Sequence, residues 1–204
     1  MGGKRLKIVC FGDSNTYGYD PHSFFGGRYQ EQCRWPDILA RKLGCNVVNI
    51  GENGREIPHL EFELLQFDQM LCNQNPLDLL IIMLGSNDLL QGNCADAVAA
   101  RMYAFLRHIC IEPEKILLIA PPKMQLGEWV PNQGLIDVSG ELACKFDSLS
   151  ACCGVVFVDT GKWNIPLAFD GVHFTEAGHK KFAEQLANYL EEVAITSTQT
   201  YEVT

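Results

Sequence analysis

A three-layer α/β/α fold around a mostly parallel sheet is predicted by the amino-acid sequence, from three observations. Strand-like and helix-like apolar patterns alternate along the whole chain. Residues 77–84 form a nearly continuous apolar run, which suits a central parallel strand covered on both faces. Each conspicuous polar motif falls just after a strand-like run, where open α/β sheets place their ligands. Alternation of this kind implies parallel strands joined by right-handed crossovers.

The elements follow in order. Residues 6–11 are the first strand, ending abruptly at Gly12-Asp13-Ser14. In residues 34–43, Trp35, Ile38, Leu39 and Leu43 form one helical face, with Pro36 in the first turn and Gly44 as the stop. Residues 47–50 are a short strand that ends at Gly51. Leu60, Leu64, Phe67 and Leu71 make the next helical face. The run 77–84 is the third strand and ends at Gly85-Ser86-Asn87-Asp88. Val98, Met102, Phe105 and Ile109 repeat at helical spacing, and residues 115–120 are a fourth strand closed by Pro121-Pro122. Val138, Leu142, Phe146 and Leu149 mark another helix, and residues 155–158 the fifth strand. Thr175 caps a last helix that starts at Glu176 and buries Phe182, Leu186 and Leu190. Two long irregular stretches, 17–33 and 121–134, follow strands and therefore overhang the same carboxyl-terminal edge. Loops of such length are commonly functional.

Composition narrows the class. The chain has 204 residues, 47% of them hydrophobic, which suits one domain over residues 1–195, with a polar, disordered tail expected at 196–204. Sixteen basic against 25 acidic residues leave a net charge of -9. Phosphate backbones and anionic membrane surfaces repel such a chain, so nucleic acid is not an expected partner. No run approaches the ~20 apolar residues of a membrane span, and no secretory signal is read at the amino terminus. The nine cysteines are odd in number and form no framework, which reads as reduced thiols in a cytoplasmic protein. With no Cys-x-x-Cys pair, and with histidines far from cysteines, no zinc site is expected.

The turn at Ser14 alone admits two readings, a nucleophilic serine or a polar loop for an anion. Asp170 and His173, near the other end of the chain, favour the first. A serine hydroxyl is a weak nucleophile until a base takes its proton, and an Asp three residues before a His can hold Nδ1-H while Nε2 faces the serine. The alternative is an inactive flavodoxin-like protein that binds a phosphate or flavin with the 14–16 loop; it would have no use for Asp170 and His173. Attack on a carbonyl also needs donors for the oxyanion. The Ser14 N-H, the Gly54 N-H and the Asn87 side-chain amide are the candidates, and Gly51 reads as turn chemistry. Asp13 and Asp88 are expected to support their loops rather than take part in chemistry. Arg55 could line the pocket or pair with an acid. His179 is expected at the surface of the last helix, and His22, His59 and His108 have no partner motif. Trp129 and Trp163 read as pocket walls or as packed loop aromatics. Exposed loop aromatics also leave a homo-oligomer open.

The blocks Gly12-Asp13-Ser14, Gly54, Gly85-Ser86-Asn87-Asp88 and Asp170-Gly171-Val172-His173 resemble, in order and spacing, those of the SGNH (GDSL-type) hydrolases, from residue 6 to about 190. The segments 11–18, Arg34-Trp35, 82–88 and 171–175 particularly resemble the compact arylesterase and acyltransferase branch. The resemblance implies a flavodoxin-like sheet of five parallel strands in the order 2-1-3-4-5. It implies Ser14 as nucleophile, His173 as base, Asp170 as its orienter, and Ser14, Gly54 and Asn87 around the oxyanion. No metal or organic cofactor is implied. The substrate implied is a small-molecule ester with a short acyl group; carbohydrate O-acetyl esters and thioesters are the alternatives. Two departures stand out. Asn15 replaces the usual Leu after the serine, at a position that is not catalytic in the family and bears on the local pocket lining. Glu52-Asn53-Gly54 replaces the commoner Ser-Gly-Asp wording, which makes Gly51 the fallback for Gly54.

Overall fold

Five strands pair in parallel in the computed structural model, which describes residues 5–201, with side chains through residue 193. They are Lys7–Gly12 (β1), Asn46–Gly51 (β2), Leu79–Met83 (β3), Ile116–Ala120 (β4) and Val156–Asp159 (β5), in the order β2-β1-β3-β4-β5. Gly12 of β1 pairs with Gly51 on one side and Met83 on the other, so the three strands end level. The helices are Ser14–Tyr17 (α1), Trp35–Leu43 (α2), Glu61–Gln74 (α3), Ser86–Leu90 (α4), Ala95–His108 (α5), Gln133–Cys153 (α6) and Glu176–Tyr201 (α7).

Successive strand residues point to opposite faces, and both faces are buried. Val9, Phe11, Leu80, Ile82 and Leu118 pack against Phe67, Met102, Phe105 and Phe146 from α3, α5 and α6. Ile8, Cys10, Ile81, Met83 and Leu117 pack on the other face against Trp35, Leu39, Phe182 and Leu186 from α2 and α7. The ring pairs Phe11–Phe67 and Phe67–Phe105 meet edge to face at 5.0 and 4.8 Å, a favoured aromatic geometry.

Element ends differ from the sequence reading where side chains intercept the backbone. Leu77 and Asp78 precede β3, and the Lys7 N-H donates to the Asp78 carboxylate at 2.7 Å. Leu60 belongs to no helical face: it lies before α3 and is exposed, while Glu63 accepts from the His59 and Leu60 N-H groups at 3.0 Å each. Ile109 lies just past the end of α5 yet stays buried. Thr175 accepts from the Gly178 N-H at 3.0 Å, capping α7 as expected. Helix α7 reaches into the segment 196–204 expected as a tail, of which residues 202–204 lie outside the described residues.

His179 corrects the sequence reading. It was expected at the surface, but it is fully buried between α7, Tyr29, Phe174 and the start of α2. Its Nδ1 accepts from the Trp35 N-H at 3.4 Å, so Nε2 carries the proton and meets no partner among the described residues. Burial, together with the nearby His173 and Arg34, pushes its pKa down to about 3. Its position on the helix allowed either face; the loop 17–33 and α2 folding over α7 cover it. A histidine whose folded pKa lies below its unfolded value stays neutral while the unfolded chain takes up a proton. Its contribution to stability therefore falls as the pH drops from about 6.5 towards 3. Between pH 8 and pH 5 the native protein should lose about 2 kcal/mol more unfolding free energy than a His179→Gln variant, as read by urea denaturation. Parallel pH curves for the two proteins would refute the buried neutral imidazole.

Candidate active site

β1 delivers the first functional group. Asp13 occupies the cap position of α1, and its Oδ1 accepts from the Asn15 N-H at 2.9 Å. Burial pushes the Asp13 carboxyl up to about 6, against the opposing pull of that hydrogen bond and of His173 and Arg55. Ser14 is the first residue of α1, so its N-H is one of the donors that a helix start leaves without an intrahelical partner. It finds no backbone acceptor among the described residues.

The loop between β5 and α7 delivers the second and third groups. Ser14 Oγ lies 3.0 Å from His173 Nε2, and His173 Nδ1 lies 2.8 Å from Asp170 Oδ2. Asp170 is an acceptor, so Nδ1-H donates to it, and Nε2 is left to accept the Ser14 hydroxyl proton. The other Asp170 oxygen accepts from the Val172 and His173 N-H groups at 2.9 Å each. Burial opposes the Asp170 charge, but the bonds from His173 and Val172 outweigh it and hold the carboxyl below its ordinary range. Ser14, Asp170 and His173 are all nearly inaccessible to water.

The two long loops meet over this group. The Tyr19 and Trp129 rings lie 4.6 and 4.9 Å from the His173 ring. Residues 125–129 are laced to the Asp170 turn by Gln125 N-H to Gly171 and Trp129 N-H to Asp170, at 3.0 and 3.1 Å. His22 stacks edge-on with Phe169 at the rim, 5.4 Å between centroids. Trp163 lies away from the site and packs on Phe182 at 5.4 Å. His108 pairs with Asp68, and His59 with the Ile57 carbonyl, both outside the site.

The strands flanking β1 bring the remaining candidates. Gly54 sits in an exposed turn after β2 with φ of 75°, a left-handed conformation suited to glycine, and its N-H meets no backbone acceptor among the described residues. Asn87 Nδ2 donates to the Arg55 carbonyl at 3.0 Å, which joins the turn after β3 to the turn after β2 and leaves one amide hydrogen for another acceptor. Gly51 fits the donor role poorly, because its N-H already donates to Asn49 Oδ1 at 2.9 Å. Its lack of a side chain answers a close approach: a Cβ there would stand 2.1 Å from the Tyr17 nitrogen. Arg55 holds the β1 and β2 ends together through the Gly12 carbonyl at 2.8 Å and the Ile50 carbonyl, pairs with Glu52 at 2.6 Å, and covers the Phe11 ring. A cleft of about 390 Å³ beside this turn, lined by Gly54 and Arg55 together with Phe11, Phe62, Phe67 and Met70, touches neither Ser14 nor His173.

Asn15 bonds the main chain of the turn that carries His173. It is buried, and its amide bonds the backbone on both sides of His173, to the Val172 carbonyl at 3.1 Å and the Phe174 N-H at 2.8 Å. An asparagine beside the serine was visible in the sequence, but its partners lie 157 and 159 positions away.

Comparisons with known proteins give the family and the fold. The chain belongs to the GDSL-like lipase/acylhydrolase family, whose model matches residues 10–181, and it is a carboxylic ester hydrolase. The aryl esterase of M. smegmatis superposes with a TM-score of 0.79 at 25% identity, over 92% of this chain and 99% of that one. A protein from Agrobacterium tumefaciens str. C58, provisionally named an arylesterase, gives 0.79 at 29% identity, over 92% and 99%. Est24, a carbohydrate acetylesterase from Sinorhizobium meliloti, shares the fold with a TM-score of 0.79 at 22% identity, over 93% and 100%. A search of curated proteins found no match. Among the described residues no helix is long and apolar enough to cross a membrane.

Asp88 carries the loop structure behind Asn87. It is fully buried, accepts from the Ile57 N-H at 3.1 Å, and pairs with Arg101 at 2.9 Å, which also reaches Glu56 at 3.0 Å. Burial raises the Asp88 pKa despite these partners. Asp88→Ala would strand the buried Ile57 N-H, and should lower unfolding free energy by about 1–3 kcal/mol in urea denaturation. An unchanged midpoint would show that the network contributes nothing.

Proposed function

We propose that the protein cleaves small-molecule esters of short acyl groups through an acyl-enzyme intermediate on Ser14. His173 acts as general base and then as general acid, and Asp170 orients it. The unbroken line of contacts from Ser14 Oγ through His173 to Asp170, at 3.0 and 2.8 Å, carries the reading.

His173 Nε2 takes the hydroxyl proton as Ser14 Oγ attacks the acyl carbon. Asp170, ionised and bonded to Nδ1-H, stabilises the imidazolium that forms. The carbonyl oxygen becomes an oxyanion, and the Ser14 N-H, the Gly54 N-H and an Asn87 amide hydrogen receive it. Collapse expels the alcohol, which leaves with the proton from His173. Water then repeats the cycle: His173 deprotonates it, it attacks the acyl carbon, and the acid departs as Ser14 recovers its proton. Another alcohol in the place of water would give acyl transfer by the same steps. The Tyr19 and Trp129 rings exclude water from one side of the imidazole and offer an apolar wall to the alcohol portion. The likeness to the M. smegmatis aryl esterase supports aryl esters among the substrates.

A fluorophosphonate should add to the native protein with the mass of one adduct on Ser14 and should not label Ser14→Ala. That variant should lose about 10⁴- to 10⁶-fold in kcat on p-nitrophenyl acetate. Near-native hydrolysis by the variant would reject the mechanism. A panel of aryl acetates, longer acyl esters, acetylated sugars and thioesters would rank the substrates.

A further inference from the structure

We propose that Asn15 is a positioning residue for His173, clamping the turn that carries Ser14 to the turn that carries the imidazole. The inference rests on the assignment of His173 as the base. Asn15 is covalently next to Ser14, and its two partners, Val172 and Phe174, are the residues on either side of His173. One short side chain thus spans the gap between the two reacting groups.

The bonds around His173 form a complete set. Asp170 Oδ1 accepts from the Val172 and His173 N-H groups. The His173 carbonyl accepts from the Ala168 N-H at 2.7 Å. Asn15 Nδ2 donates to the Val172 carbonyl, and the Phe174 N-H donates to Asn15 Oδ1. Each backbone polar group from the Val172 N-H to the Phe174 N-H therefore has a partner. On its own side, the Asn15 N-H is held by Asp13 Oδ1 at 2.9 Å. The separation of 3.0 Å between Ser14 Oγ and Nε2 is set by this short chain of rigid links.

The contact demands an amide. It needs one donor and one acceptor on the same one-carbon stem. Leucine branches at the same carbon but leaves a buried carbonyl and a buried N-H unpaired. Aspartate keeps the shape, yet when ionised it turns an acceptor towards the Val172 carbonyl. Either change lets the imidazole drift, and a misplacement of about 1 Å can cost about 10²-fold in rate.

The test uses Asn15→Leu and the isosteric Asn15→Asp, assayed with p-nitrophenyl acetate at a temperature where circular dichroism shows each folded. If Asn15→Leu fails to fold, Asn15→Asp carries the test. The expected result is a kcat about 10²-fold lower with KM within about twofold of native, and fluorophosphonate labelling of Ser14 slowed in parallel. Added to His173→Ala, the same change should lower kcat by less than about twofold, because Asn15 would act only through the imidazole. Folded variants with native kcat, whatever their melting temperature, would overturn the proposal. So would a full additional loss in the His173→Ala background. The two readings fail separately: near-native turnover by His173→Ala itself would remove the proposed base, whereas an inactive His173→Ala beside fully active Asn15 variants would remove the clamp alone.

Discussion

Parallel hydrogen bonding along β1 is the constraint from which the site follows. β1 lies between β2 and β3 and pairs with both in the same direction, so the three chains leave the sheet at one edge. The turn holding Ser14, the turn holding Gly54 and Arg55, and the turn holding Asn87 must then be neighbours, although up to 73 positions separate them (87 minus 14). An antiparallel partner on either side would have sent one of these turns to the far end of the molecule.

Once at that edge, the turns are held mainly by side chains bonding backbone. Asp13, Asn15, Asn49, Asn87, Asp88 and Asp170 each bond main-chain groups, and Arg55 bonds the last carbonyl of β1. Irregular backbone cannot satisfy itself as a helix or ladder does, so polar side chains must do it when water is excluded. In a dry setting each such bond is stronger and its loss costs more. The same dryness acts on the acids in opposite directions. Asp170, with three donors around it, keeps its charge, while Asp13, less well supplied, is pushed up to about 6. Environment therefore moves two buried carboxyl groups on neighbouring turns in opposite directions, Asp170 below and Asp13 above the ordinary carboxylate range.

Much of the fold was legible in the chain. Apolar spacing reports burial directly, and the faces built on Phe67, Met102, Phe105, Phe146 and Phe182 are the ones that meet the sheet. The places of Ser14, Asp170 and His173 after strands and before helices were legible for the same reason. Polar residues were harder. His179 reads as a surface residue because nothing in its neighbours says what will fold over it. Asn15 reads as a minor change of lining because its partners are backbone atoms, which leave no mark on sequence. Gly51 reads as a turn because the close approach of Tyr17 belongs to another segment.

The sequence by itself determined the alternation of strand and helix, the apolar faces, and the residue types able to perform acyl chemistry, since these depend on local periodicity and on side-chain identity. Tertiary structure alone decided which polar groups face one another, which are dry, and how Tyr19 and Trp129 close over His173. Distances, burial and pKa arise from atoms far apart along the chain, and no local pattern records them.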